Sequence, residues 1–370
     1  MQKVLSFIKK EIVLIISAIL AIISMLFTPP SKEYLGYIDF SVIAILFCLM
    51  AVVAGLRSIG VFDFISCLML KKSKSTKAIG IVLVAMCFFS AMLITNDVAL
   101  LTFVPLTISI FNSEKTKNKL IFIVVIETVA ANLGSMLTPI GNPQNLFLYS
   151  FYSMKISDFF KITLPLGLIS LVLIFIIMLF TKGEHIESSI DLSSIKINKY
   201  RLFEYITLFI LCILVVLKVL DYRICLGVVL LTLICLDRKL FARVDYSLLL
   251  TFVCFFVFVG NISAIGSVRQ AISSLIEGKE LLGSVLLSQV ISNVPAAVML
   301  SGFTEKSSQL LAGVNIGGLG TIIASLASLI SYKLYSACEK AEKGKYMATF
   351  SLVNFIFLAV MLLVSSLILK

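Results

Sequence analysis

The chain is poor in charge. Of its 370 residues only 14% are Asp, Glu, Lys or Arg, whereas 60% are hydrophobic and the mean hydropathy is +1.10. A soluble domain of this length carries far more charge on its surface, so that class is excluded. Strand-period alternation of apolar and polar residues is missing, which excludes a β-barrel. There is a single histidine, His185, and it lies in a polar stretch. The eight cysteines form no C-x-x-C pair, so no structural zinc is expected. Most cysteines sit inside apolar runs (Cys48, Cys87, Cys212, Cys225, Cys235, Cys254) and read as small core hydrophobes. The net charge of +11 comes without a basic stripe interleaved with aromatics, so nucleic acid is not expected as a partner. Basic loops on the cytoplasmic side of a membrane protein account for it. Lys9 and Lys10 precede the apolar run Ile12 to Phe27, which ends in Thr28-Pro29-Pro30 without a small-x-small cleavage pattern. A retained first transmembrane helix is therefore expected rather than a cleaved signal peptide.

What the chain has is long apolar sequence from end to end. Segments fall near 12–28, 39–56, 78–94, 98–111, 120–137, 158–181, 203–220, 223–236, 246–260, 280–291, 296–303, 308–332 and 346–369. This predicts an all-α polytopic membrane protein, whose natural partner is the lipid bilayer. A span needs about 20 residues, and several segments are shorter. The short ones flank two polar signatures that match one another: Thr95-Asn96-Asp97-Val98-Ala99 and Ser292-Asn293-Val294-Pro295-Ala296. Each is followed by a second matched segment, Asn132-Leu133-Gly134-Ser135-Met136-Leu137-Thr138 and Asn315-Ile316-Gly317-Gly318-Leu319-Gly320-Thr321, which align as Asn-x-Gly-x-x-x-Thr without a gap. Phe47-Cys48 through Gly55 to Gly60 similarly resembles Phe255-Phe256 through Gly260 to Gly266.

These pairs predict two repeats: an N-terminal repeat over 1–181, with a re-entrant hairpin at 78–111 and an interrupted helix at 120–145; a linker at 182–202; and a C-terminal repeat over 203–370, with a hairpin at 280–303 and an interrupted helix at 308–332. About 11 membrane elements result. Lys71, Lys72, Lys74 and Lys77 precede the first hairpin and Lys115, Lys117 and Lys119 follow it, so both its ends read as cytoplasmic. The second hairpin is bounded by Glu277, Lys279 and Glu280 and by Glu305 and Lys306, a mixed balance that suits the outside. The two hairpins then enter from opposite faces, giving inverted topology. The N-terminus comes out cytoplasmic and the C-terminus external, in a cytoplasmic (inner or plasma) membrane.

Irregular polar backbone at membrane depth is tolerated only where it faces protein or lines a cavity. Asn96 and Asn293 offer side-chain amides, and Thr95 and Ser292 add hydroxyls. At a hairpin tip the first limb ends in bare carbonyls suited to a cation, and the second begins with N–H groups suited to an anion. The plainer reading is that Asn and Ser cap the second limb. Thr138-Pro139-Ile140-Gly141-Asn142-Pro143-Gln144-Asn145 cannot form a regular helix, which leaves backbone available beside Asn132 and Thr138. Around Asn315, Gly317 and Thr321 the glycines also suit close helix packing. Asp97 and Glu127 are the only acids placed well inside spans, and each could hold Na⁺ or carry a proton; for Glu127 a hydrogen bond to a neighbouring helix is the alternative. Val294 stands where Asp97 stands in the other copy, so the two half-sites differ.

Thr95-Asn96-Asp97-Val98-Ala99-Leu100 with Pro105, Asn132 to Gly141, Ser292 to Pro295 and Asn315 to Gly318 together resemble the ion transporter superfamily, which includes citrate transporters, divalent anion/sodium symporters and the arsenite pump membrane subunit. The first two motifs are closest to the arsenite branch. The resemblance spans essentially the whole chain. It implies a stationary scaffold and a moving transport unit, with substrate and coupling ions bound at the tips and interrupted helices. Carried over, Thr95, Asn96, Asp97, Asn132, Gly134 and Thr138 form one half-site and Ser292, Asn293, Asn315, Gly317 and Thr321 the other. It also implies a homodimer, for which the sequence holds no interface signature. The tips, Thr-Asn-Asp and Ser-Asn-Val, depart from the Ser-Asn-Thr pair of the dicarboxylate symporters.

The function expected is secondary active transport of a small anion, an organic carboxylate such as citrate or a dicarboxylate or an inorganic oxyanion, coupled to Na⁺ or H⁺ and without other cofactors. Substrate is assigned to Thr95, Asn96, Ser292, Asn293, Thr138 and Thr321, and the coupling ion to Asp97, Asn132, Gly134, Asn315, Gly317 and Glu127. Rival readings are an arsenite-type efflux permease and a Na⁺/H⁺ antiporter. An intramembrane enzyme would need a nucleophile–base pair or paired histidines, which this chain lacks.

Overall fold

The computed structural model describes residues 11–70, 75–111, 117–184, 197–339 and 341–369. His185, the body of the polar linker (185–196) and the loop cations Lys9, Lys10, Lys71, Lys72, Lys74, Lys115 and Lys340 lie outside the described residues. Among the described residues the regular elements are helices: α1 Ile12–Met25, α2 Tyr34–Tyr37, α3 Phe40–Ser58, α4 Val61–Leu70, α5 Thr76–Ile94, α6 Asn96–Phe111, α7 Lys117–Ser135, α8 Pro143–Phe151, α9 Ile156–Leu179, α10 Lys199–Val216, α11 Tyr222–Leu236, a 3₁₀ turn Arg238–Arg243, α12 Tyr246–Ala264, α13 Gly266–Ile276, α14 Glu280–Ile291, α15 Asn293–Ser301, α16 Ser307–Ile316, α17 Leu326–Ser336 and α18 Lys343–Ile368.

The starts of these helices are written into the sequence. Asp39 accepts from the N–H groups of Ser41 and Val42, Ser75 from Ala78, Asn142 from Asn145, Asp245 from Leu248 and Ser325 from Ala327. Each satisfies a donor that the first turn of a helix leaves bare. α3, α5, α9, α12 and α18 are long and apolar enough to cross a bilayer. Large apolar side chains point outward along them, such as Leu168, Val172 and Phe175 on α9 and Leu352, Phe355 and Leu363 on α18. An outer surface of this kind is stable only against hydrocarbon, and the chain is a multi-pass membrane protein.

Packing sorts the helices into two groups. α1 lies on α12, and α10 and α11 lie on α3. Elsewhere α5 and α6 pack on α7, and α14 and α15 pack on α16. These pairs are interlocked: α6 lies against α17, and α15 lies against α8. The second limb of each hairpin thus rests on the segment that follows the other half's helix break.

Three local expectations change. α5 has 19 residues; at 1.5 Å per residue it reaches roughly 28 Å, so this limb is not too short to span. α6 begins at Asn96 rather than 98, because the tip is a single residue. Glu280, counted among the loop charges, is 4% exposed, with its Oε1 3.7 Å from Lys306 Nζ and its Oε2 buried without a hydrogen-bond partner. It belongs with Glu127 as a buried acid, whereas Asp97 is half-buried on the cavity wall, and the pairing with Lys306 offsets the desolvation of Glu280.

Candidate functional site

The two tips share one unusual backbone. Thr95 has φ 74° and ψ 151°, and Ser292 has φ 79° and ψ 154°. This region is essentially reserved for glycine, and a side chain there costs about 1–3 kcal/mol. Both residues are nonetheless hydroxyl-bearing, at matched positions. The same strained conformation is thus kept at both tips. Ser292 Oγ also donates to Ala324 O at 3.3 Å, so Ser292→Gly trades relief of the strain against a lost bond and is expected to leave the melting temperature nearly unchanged while lowering transport about tenfold; unchanged transport would remove Ser292 from the site.

Both tips open on one cavity of about 1040 Å³. Thr95, Asp97 and Val98 contribute the first turn of α6 to its wall, and Ser292, Val294 and Pro295 contribute the first turn of α15. Two helix N-termini therefore point at one space, and each carries partial positive charge suited to an anion. They are not equivalent. The α6 terminus carries Asp97, whose Oδ1 is buried and has no hydrogen-bond partner; the α15 terminus carries the neutral Val294. The cavity wall is also charged, with Arg57 of α3, Asp63 of α4, Arg243 of the 3₁₀ turn, Asp245 at the start of α12 and Lys333 of α17.

Behind the tips lies a buried layer of amides, which reaches the cavity wall at Asn142. Asn96 Nδ2 donates to Asn132 Oδ1 at 3.0 Å, and Ser325 Oγ donates to the same oxygen at 2.9 Å. Asn142 Nδ2 donates to Asn315 Oδ1 at 3.0 Å, and Asn315 Nδ2 donates to Asn145 Oδ1 at 2.6 Å. The backbone N–H of Asn293 donates to Ala324 O at 2.9 Å. These bonds join the first half's break to the second half's, so the tips are fixed by a network whose members are mutually satisfied.

The helix breaks have their own supports. Asn145 Nδ2 reaches Met136 O and Thr138 O at 3.2 and 3.0 Å. In the other half, Gln289 Nε2 reaches Gly317 O and Leu319 O, both at 3.0 Å, while its Oε1 accepts from Thr321 N at 2.8 Å. The two matched threonines tie each break to its hairpin: Thr138 Oγ1 donates to Met92 O and Thr321 Oγ1 to Gln289 O. Met92 and Gln289 occupy the same place relative to their tips. Gln289→Leu leaves the carbonyls of Gly317 and Leu319 without these donors; at about 1–3 kcal/mol for a buried unsatisfied group, a clear drop in melting temperature is expected. A melt within experimental error of wild type would show that the break holds itself.

Of the residues chosen from sequence, Thr95, Asp97 and Ser292 are on the cavity wall. Asn96, Asn132, Asn293 and Asn315 are buried directly behind it. Gly134 lies against the Phe88 carbonyl, and the carbonyl of Gly317 is taken by Gln289, which gives both glycines packing roles. Thr138 and Thr321 hold the hairpins. Glu127 is fully buried, its Oε1 accepting from Thr107 Oγ1 at 2.5 Å and its Oε2 without a partner. Sequence reasoning passed over Arg57, Asp63, Asp245 and Gln289 as functional residues. Gln289 had a signal: an amide within Leu286-Leu287-Ser288-Gln289-Val290-Ile291 is costly at membrane depth unless it serves something. The charged wall had none, because Arg57 and Arg243 look like ordinary loop-end cations.

Comparison with known proteins gives the family of the chain. The profile of the citrate transporter family matches residues 2–315. An uncharacterized transporter of Methanocaldococcus jannaschii is 38% identical over 305 residues, covering 82% of this chain and 83% of its own length. The inner membrane protein YbiR of Escherichia coli is 30% identical over 311 residues, covering 82% of each chain. The chain belongs to the citrate transporter family, within the ion transporter superfamily. It is a membrane transporter of the anion/citrate type and not an enzyme.

Proposed function

We propose that this member of the citrate transporter family is a secondary active transporter that moves a small anion, an organic carboxylate or an inorganic oxyanion, together with Na⁺ or H⁺. The observation that carries this reading is the pair of helix N-termini on one cavity, only one of which bears an acid. The anion sits toward Ser292 and Val294, where nothing opposes the dipole of α15. The coupling cation sits at Asp97, whose orphaned Oδ1 supplies a negative ligand. Asn96, Asn132, Asn293 and Asn315 hold these two subsites in register. Glu127 reports to the site only through α7 and is assigned a supporting part.

In this reading, residues 1–181 and 203–370 are inverted repeats joined at 182–202, with the N-terminus in the cytoplasm. Two asymmetries support alternating access. α15 packs against α12, whereas its counterpart α6 is parted from α3 by the cavity. The charged residues of the cavity wall also come from the ends of α3, α12 and α17 that the distribution of lysines assigns to the cytoplasm. The conformation described is thus the inward-facing one, and exchanging the two contacts gives the outward-facing one. Flux of labelled citrate, succinate and arsenite into proteoliposomes under imposed Na⁺ and H⁺ gradients tests the proposal. Saturable, gradient-dependent uptake of a carboxylate is expected. Cation exchange without any anion flux would favour an antiporter instead.

A further inference from the structure

One bond joins α3 to α6 at the cavity wall. Arg57 stands at the end of α3, and its Nη2 donates to the backbone carbonyl of Leu101 in α6 at 3.0 Å. α3 and α6 do not pack side by side; both line the cavity between them. The acceptor is a particular carbonyl. Leu101 O is the one that would receive the N–H of residue 105, and residue 105 is Pro105. Proline has no N–H, so the helix leaves this carbonyl open on its cavity side. The bond has no equivalent in the other half, where the region matching Arg57 reads Ile262-Ser263.

We propose that Arg57 is a strut that holds the empty carrier in this conformation and is released by the anion. The inference rests on the anion reading above for its second step and on geometry alone for its first. Asp63 attracts Arg57 and Arg243 repels it from the same wall, but among the described residues no ion pair of 4 Å or less joins Arg57 to Asp63. A carboxylate or oxyanion that enters can bond the guanidinium directly, and charge-assisted, bidentate bonds are about twice as strong as the one to a neutral carbonyl. The anion therefore takes Arg57 away from Leu101. α6, and the hairpin it belongs to, is then free to move relative to α3. An unloaded carrier stays locked, which prevents the coupling ion from leaking across without substrate. The pairing of Arg57 with Pro105 gives the device its specificity, since an ordinary helix offers no open carbonyl at that depth.

The test uses two variants that loosen the strut from opposite ends. Arg57→Ala removes the donor and the charge. Pro105→Ala restores an intrahelical donor to Leu101 O and leaves Arg57 intact. Nitroxide labels at Phe180→Cys, at the end of α9, which packs on α5 and α7, and at Tyr200→Cys on α10, which packs on α3, are exposed and off the cavity wall and report by pulsed spin resonance how the two helix groups sit. In a background without the native cysteines, the parent protein should give one distance when empty and a second on adding citrate. Both variants should show the second distance without citrate and an increased leak of the coupling cation. Arg57→Ala should also raise the KM for citrate about tenfold or more, whereas Pro105→Ala should leave it within about twofold of the parent. A single unchanged distance in both empty variants would overturn the strut. If the empty variants shift but citrate neither moves the parent nor is transported, the strut stands and the anion reading fails with its release step.

Discussion

Asp97→Asn is expected to abolish gradient-driven transport in proteoliposomes, by about a hundredfold or more, while the protein still inserts and elutes as a single species. The substitution keeps the size of the side chain and removes its charge. A carboxylate against a cation at roughly 4 Å, in an effective dielectric near 20, contributes about 4 kcal/mol. At 1.4 kcal/mol per factor of ten, losing most of that interaction accounts for the expected effect. Asp97 already lies at the N-terminus of α6, where the helix favours an anionic side chain, so nothing about folding requires the coupling ion to be there. Binding of labelled citrate at equilibrium should persist, because the proposed anion subsite lies toward Ser292. Full driven uptake by the variant would remove Asp97 from the mechanism.

Gly134→Ala is expected to cost about 3 kcal/mol, the upper end of what overpacking usually does. A Cβ at Gly134 would stand 2.2 Å from the Phe88 carbonyl oxygen and 2.9 Å from its Cα. These are backbone atoms of α5, so no rotamer change relieves the clash and α5 must part from α7. Since Asn132 lies on the same α7 turn and receives Asn96, the hairpin tip is displaced with it. Thermal unfolding in nanodiscs measures the loss. Gly227→Ala is the control: nothing lies within 4 Å of its Cβ position, and alanine is the better helix former. Equal melting temperatures for the two variants would contradict the packing role of Gly134.

Much of this was legible beforehand, for physical reasons that can be named. Apolar segments show helices because hydrocarbon demands internally satisfied backbone. The breaks were visible at Pro139, Gly141 and Pro143 because proline and glycine forbid regular helix there. The tips were visible because Thr95-Asn96-Asp97 and Ser292-Asn293 are polar residues where polarity is costly. What remained hidden depends on which surfaces meet. Most of the asparagines conspicuous in the sequence form a buried layer behind the cavity, with Asn142 alone among them on its wall, since an amide with four bonding groups serves equally as ligand or as brace. Arg57 and Gln289 gain meaning only from Leu101 and Gly317, which lie far away in sequence. Glu280 looked like a loop charge because its burial is set by its place at the start of α14 beside Lys306.

In the proposed topology the two hairpins enter the membrane from opposite faces and meet at one cavity. Lys182 marks the end of the fold at which the first hairpin begins, where Thr76 bonds to Glu184, and Lys279 marks the base of the second. Single cysteines at these two positions, in a cysteine-free background, can be challenged in intact cells with a membrane-impermeant maleimide. Lys279→Cys should react from outside, and Lys182→Cys only after the membrane is opened. Reaction of both from the same side would contradict the account.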